Sequence, residues 1–319
     1  MVYIREKVLK GKKRYYLEHS FRLPNGKIKK ISKYIQDYKK KDEKSIIEKY
    51  TIFMKNKENT VLAKFASVNY KTDSILTKTE IEKLEYMKQG YKNIIKKLTK
   101  NQFKDILDRF TVNFTYESNA IEGNSLTLKD VTIIIREGII SENTELRDVY
   151  ETVNTRDAVE LMFNNKFKIN EKDIIELHKT LVKKTGVNFG YKKLPNFLLG
   201  RNVKTTPPEK VEEEMSKLIE WYNNDKSTHP LIKATLFHGR FEKIHPFEDG
   251  NGRVGRMLIN IILLNHRYPP LIIRKTQRVR YFHALESFDD GYDGRLERFI
   301  LNSCKKTYRT FFEVYIKYI

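Results

Sequence analysis

Cysteine is almost absent from this 319-residue chain, and the one present, Cys304, excludes an intramolecular disulfide and any cysteine-ligated metal cluster. A small buried side chain is its expected role. Long apolar runs are missing as well. None approaches the ~18 residues that a membrane helix needs. The opening MVYIREKVLK carries charges where an export signal would hold its apolar stretch. A cytoplasmic location with no membrane partner is the expectation. Internal repeats and low-complexity segments are lacking, and no Gly-Lys-Ser/Thr follows a glycine at Walker-loop spacing. With 39% hydrophobic and 12% aromatic residues the chain is not too polar to fold, and its length suits one large unit and one smaller.

Negative charge is scarce at one end. The formal net charge is +21, and residues 1–60 hold 18 Lys/Arg against 7 Asp/Glu. Such an excess suits a solvated face or a docking surface for an acidic protein or nucleic acid. The lysines are dispersed and match no DNA-binding motif, so a nucleic-acid partner stays open.

Residues 1–36 read as a small β meander, with strands at Val2–Leu9, Tyr15–Leu23 and Lys27–Ile35. Gly11-Lys12-Lys13 and Pro24-Asn25-Gly26 separate them, and Asn-Gly is a strong hairpin signal. From about Asp42 apolar residues recur at helical spacing, and Lys71–Asp73 reads as a linker. The expected division is therefore 1–70, a basic meander plus helix, and 71–319, a helical catalytic region. Helices are expected within Thr77–Gly123, from Thr127 (capped with Asp130) towards Gly138, and over Asp148–Phe163 and Glu171–Val182. Residues 186–208 break the helical period, and Asn196–Leu199 with Asn202–Thr205 could pair as a hairpin. Helices resume at Glu209–Asn223, Leu231–Glu242, from after Gly252 to His266, and over Arg278–Phe288 and Arg295–Tyr318. The fold class is mainly α, with a β appendage in front and a hairpin in the middle.

Chemistry concentrates in Ile244-His245-Pro246-Phe247-Glu248-Asp249-Gly250-Asn251-Gly252-Arg253-Val254-Gly255-Arg256. Gly250 and Gly252 let backbone N–H groups approach a ligand closely. The helix that follows adds an anion-attracting N-terminus. Arg253 and Arg256, three apart, share the first turn and suit bidentate phosphate binding. Asp249 beside a phosphate pocket is a natural Mg²⁺ ligand. His245 is an available general base. Gly250, Gly252 and Gly255 also match the dinucleotide fingerprint, which needs a preceding strand and an acidic residue about twenty positions on. Here a helix and a His-Pro turn precede, and Leu271–Lys275 lies at that distance. His238 and His245, seven apart, are wrongly spaced for a metal pair on one helical face, and His238 reads as a packed helix histidine.

The stretch resembles the Fic motif, His-x-Phe-x-Asp/Glu-Gly-Asn-Gly-Arg-x-x-Arg, at every specified position. The resemblance extends over roughly Thr115–Phe299, through Glu176-Leu177-His178, Trp221 ahead of His229-Pro230, and Arg278-x-x-Tyr281-x-x-Ala284-Leu285. It implies a Fic-type helical core with a flap hairpin, placed loosely at Lys193–Thr206, which aligns a target segment by strand pairing. It implies transfer of AMP from ATP to a Ser, Thr or Tyr hydroxyl of a target protein, and of the chain itself. His245 would be the base, Phe247 the anchor of the loop, and Asp249 the Mg²⁺ ligand. Gly250, Asn251 and Gly252 would form the anion nest, Arg253 and Arg256 would grip the phosphates, and Tyr281 would pack near adenine. Asp289 stands where relatives often have an adenine-contacting Asn. Death-on-curing kinases have Lys where this chain has Gly252, so the resemblance favours adenylylation.

Upstream, Ser118-Asn119-Ala120-Ile121-Glu122-Gly123-Asn124 is similar to the family's inhibitory helix, expected near 110–123. Ser118 and Glu122 are four apart on one helical face, and Gly123 suits a C-terminal cap. A carboxylate at that end opposes the helix dipole. The resemblance assigns Ser118 and Glu122 to autoinhibition. The same site could remove AMP through a water positioned by Glu122, and a DNA-associated regulator is a further reading of the basic N-terminus. A homo-oligomer also stays open.

Overall fold

The computed structural model describes residues 2–196 and 204–318. Two compact units are present, one ending at Gly90 and one beginning at Tyr91.

In the first unit, β1 (Val2–Leu9), β2 (Lys12–Arg22) and β3 (Ile28–Ile35) form an antiparallel sheet in the order β1-β2-β3. The second strand starts three residues earlier than its composition suggested. Leu9 pairs with Lys12, and the two residues between them, Lys10 and Gly11, both have positive φ (49° and 72°). A two-residue loop with that geometry matches the twist of the flanking strands. Lys12 and Lys13 are thereby left in the ladder. Gly26 (φ 84°) turns the second hairpin, as Asn-Gly predicts. Alternation places Leu17 and Ile35 on the face that packs on Met54 of α1 (Glu43–Ser67), with Ile4, Ile31 and Tyr50 around them. α2 (Lys78–Lys97) runs across the division between the units.

The second unit is helical, as expected: α3 (Lys100–Glu122), α4 (Leu128–Glu137), α5 (Leu146–Phe163), α6 (Glu171–Leu181), α7 (Val211–Asn224), α8 (Pro230–Ile244), α9 (Asn251–Asn265), α10 (Arg278–Asp289) and α11 (Gly294–Phe311). Reciprocal caps start α3 (Thr99 with Gln102) and α4 (Thr127 with Asp130), and glycines in the left-handed region, Gly123 and Gly138, stop both. α9 is buried nearly all round, with α3, α5, α6 and α8 packed against it. A helix so apolar has no solvent face to offer, which makes it the axis of the unit. It starts at Asn251, one residue before the glycine expected to precede it. The central hairpin anticipated at Asn196–Leu199 and Asn202–Thr205 falls largely on 197–203, outside the described residues. No described helix is long and apolar enough to cross a membrane.

Candidate active site

The loop between α8 and α9 is fixed from several sides. Pro246 disfavours a continued helix at His245. His245 ends α8 in the left-handed region (φ 51°, ψ 61°), its N–H donating to the Phe241 carbonyl. A non-glycine residue there costs of order 1 kcal/mol or more and persists only where its surroundings impose it. Phe247 is fully buried and stacks on the His178 ring, with centroids 3.8 Å apart and planes within 2°. The Asn251 side chain clasps the Phe247 backbone twice. Its Oδ1 accepts the Phe247 N–H at 2.9 Å and its Nδ2 donates to the Phe247 carbonyl at 2.8 Å. Lys192 N–H donates to the Pro246 carbonyl at 2.9 Å and Asn196 Nδ2 to the Phe247 carbonyl at 2.9 Å, so the 190–196 segment straps the loop. Burial pulls the Lys192 ammonium down to about 8.

His178 on α6 serves as a bracket. Its Nδ1 accepts the Gly190 N–H (3.2 Å), which leaves Nε2 to donate to the Asp249 carbonyl (3.0 Å). Burial lowers it to about 4, so the ring is neutral at physiological pH and this tautomer is the one the two bonds require.

Gly250 takes φ 80° and caps the start of α9, where a Cβ would lie 3.3 Å from Val182. Gly252 is helical, so its requirement is steric. An added Cβ would collide with the Glu122 carboxylate and lie 2.9 Å from Arg256 Nη1. Glu122 ends α3, with Oε1 2.7 Å from Arg256 Nη1. Ser118, one turn earlier, accepts from the same guanidinium twice, through its hydroxyl to Nε at 3.0 Å and its carbonyl to Nη2 at 2.9 Å. Arg256 is almost fully buried, and three of its nitrogens face α3. The carboxylate that opposes its own helix dipole therefore faces an arginine and the positive end of α9. Arg278 on α10 closes the end of α3, its Nε donating to the Ile121 carbonyl at 2.7 Å.

His245, Asp249, Gly250, Gly252, Arg256 and Tyr281 line one cavity of about 380 Å³, with Glu122 and Glu242 also in its wall. Tyr281 is buried, its hydroxyl 2.7 Å from Nε2 of the equally buried His238. Arg253 is placed differently from the phosphate grip expected of it. It is 2% exposed, with Nη1 3.2 Å from Glu151 and Nη2 3.6 Å from Asp249, and so braces the Asp249 carboxylate from within the core. Local sequence gave no sign of Glu151 or of Arg147, whose Nη2 reaches Asp249 Oδ2. Both sit on α5, about a hundred residues upstream. His178 stands within Glu176-Leu177-His178, but no spacing disclosed its role.

A histidine, a carboxylate and an arginine thus converge on one cavity at a helix N-terminus, on a helical scaffold. Residues 168–263 match the Fic/DOC family. The matched segment runs from just before α6 through most of α9, and so contains the loop and the helix N-terminus that build the cavity. It is 31% identical over 198 residues to "Protein adenylyltransferase Fic" of Drosophila willistoni, covering 60% of this chain and 40% of the relative. The Drosophila melanogaster protein of that name gives the same figures. This chain thus spans about two fifths of the length of these relatives. Among solved structures, a Fic domain containing signaling protein from Bacteroides thetaiotaomicron superposes with TM-score 0.65 at 27% identity, covering 73% of this chain and 95% of that one. A Fic family protein from Desulfovibrio desulfuricans gives 0.61 at 25%, covering 76% of each.

Proposed function

We propose that this chain is an autoinhibited protein adenylyltransferase, moving AMP from Mg-ATP to a hydroxyl of a target protein and of itself. The observation that carries the reading is the convergence of His245, Asp249 and Arg256 on one cavity at the N-terminus of α9. In the proposed reaction the triphosphate lies along the Gly250–Gly252 amides, where N–H groups and the helix dipole favour negative charge. His245 takes the proton of the acceptor hydroxyl. The hydroxyl oxygen bonds to the α-phosphorus, the bond to the bridging oxygen breaks, and pyrophosphate leaves. Arg256, once free of Glu122, is the cation available to the terminal phosphate.

Among the described residues no group of three or more His, Cys, Asp or Glu is arranged to hold a metal. Magnesium is commonly held by one or two carboxylates plus substrate phosphates, and the part-exposed Asp249 fits that donor set. When bound with the nucleotide, the ion would neutralise charge on the α- and β-phosphates.

Autoinhibition follows from Arg256, whose one guanidinium cannot serve both a phosphate and Glu122 with Ser118. Glu122 would occupy the space of the terminal phosphate and repel it. Removal of AMP is a second reading, favoured by the Glu122 carboxylate, which remains about a third exposed within the cavity and could orient a water.

Intact mass after incubation with Mg-ATP tests the main reading, with a gain of one AMP on the chain or on an added lysate protein expected. His245→Ala should abolish transfer while ATP still binds in calorimetry. Equal transfer by both proteins would remove His245 from its role. Loss of a pre-attached AMP, without any gain, would favour the second reading.

A further inference from the structure

We propose that the outward face of the N-terminal sheet is a docking surface for double-stranded DNA. Pleating gives the sheet two unlike faces. One side carries the apolar residues that pack on α1. The other carries Arg5 and Lys7 from β1, Arg14 and Tyr16 from β2, and Lys30 and Tyr34 from β3.

A buried acid organises these cations. Glu18 is fully buried at the centre of this otherwise open face, and it is the only acidic residue that the three strands place there. Lys7 Nζ lies 2.9 Å from it, Lys30 Nζ 3.0 Å and Arg5 Nη1 3.7 Å, and the Tyr3 hydroxyl donates at 3.2 Å. Burial alone would raise its pKa, but the bonds from Lys7, Lys30 and Tyr3 outweigh that and hold it at about 2. One carboxylate needs one cation, and here three converge while staying 36–53% exposed. Lys7 also stands directly opposite Arg14, a like-charge pair that weakens a sheet. A face that accepts this cost, with a surplus of ordered positive charge, is shaped for a polyanion.

Geometry separates the candidate polyanions. Three strands are about 10 Å across, which suits the ~12 Å major groove or a run of backbone phosphates beside it. Single strands are gripped by open aromatic platforms. Here the Tyr16 and Tyr34 rings are tilted by 58° at 5.6 Å, and Lys7 Nζ covers Tyr16 at 4.5 Å. An acidic protein would be met by an apolar anchor at the centre. The centre of this face is a carboxylate ringed by cations.

The test is fluorescence anisotropy of the full chain with a labelled duplex of about 25 base pairs across a salt series. Micromolar binding is expected, with a log–log salt slope between about −3 and −4 for four phosphate contacts. The double change Arg14→Gln with Lys30→Gln should weaken binding at ~50 mM salt at least tenfold and reduce the slope by about 2. An unchanged thermal midpoint shows that the variant is folded. If it is not, Arg5→Gln at an exposed position should reduce the slope by about 1. No duplex binding at ~50 mM salt overturns the proposal. So does binding that folded variants leave unchanged, or tighter binding of a single-stranded oligonucleotide or of polyglutamate.

Discussion

Arg147 Nη2 lies 2.5 Å from Asp249 Oδ2, and the Nε of the same guanidinium is 3.2 Å from Glu151. Glu151 also pairs with Arg253, which returns to Asp249. Two carboxylates and two guanidinium groups thus alternate in a closed ring. The acid proposed to take a divalent cation already holds a positive charge, and the cation must displace Arg147 or share Asp249 with it.

The Mg²⁺ requirement tests that relationship. An exposed ion pair is worth at most about 1 kcal/mol, so Arg147→Ala should lower the half-saturating Mg²⁺ for ATP binding by up to about fivefold. Calorimetric titrations of ATP at stepped Mg²⁺ would read it directly. A higher requirement in the variant would instead make Arg147 a positioning residue for Asp249.

The contact between Glu122 and Arg256 has a kinetic consequence. Glu122→Gly should raise AMP transfer by at least tenfold, because alignment for attack is worth several kcal/mol and each ~1.4 kcal/mol is tenfold in rate. Arg256→Ala should break the same contact yet leave a weak enzyme. Self-modification with labelled ATP at matched protein concentration decides it, and unchanged transfer in folded Glu122→Gly would end the inhibitory reading.

Gly252 offers a check that needs no activity. A Cβ there collides with the Glu122 carboxylate, so Gly252→Ala should destabilise the native chain. In a Glu122→Gly background most of that cost should vanish, giving a coupling of about 1–3 kcal/mol for two residues in contact. Denaturant melts of the four proteins supply the cycle. Additive effects would show that the glycine answers to something else.

His178 sets a pH window. Its folded value is depressed to about 4 from an ordinary 6.5, so the unfolded chain takes up the proton first as pH falls. The contribution is fully present above about 6.5 and is lost progressively towards pH 4. At about 1.4 kcal/mol per unit it is on the order of 3 kcal/mol. His178→Gln should flatten stability against pH over that interval. Parallel curves for variant and native protein would contradict the assignment.

What was legible in the sequence was local. The His245–Arg256 run announces itself because candidate phosphate-binding groups crowd into a few residues, whereas the Ser118–Glu122 turn stands out only through its resemblance to the family's inhibitory helix. The cap that starts α4 follows from Thr127 and Asp130, whereas the break between α2 and α3 at Thr99 was not read. The ring around Asp249 was not legible, since Arg147 and Glu151 reach it only through the packing of α5 on α9. Arg253 shows the same limit. Its type and position suit a phosphate, and only the distant Glu151 explains why it turns inward. Gly252 was read as room for a ligand to approach the backbone, but the neighbour that demands the room is Glu122.

The Ser118–Glu122 turn belongs to a helix that the fold cannot spare. α3 buries Phe110, Phe114 and Ile121, its Glu117 takes Arg274 and the Lys275 N–H, and Arg278 takes the Ile121 carbonyl near its end. On the inhibitory reading proposed above, the restraint is present at one copy per molecule, acts at any dilution, and cannot be shed by cleavage ahead of α3. Release has to be a small event, a swing of one carboxylate or a loosening of one helical turn at Gly123. On the same reading, a ligand or partner that frees Arg256 needs to supply only the difference between two side-chain positions.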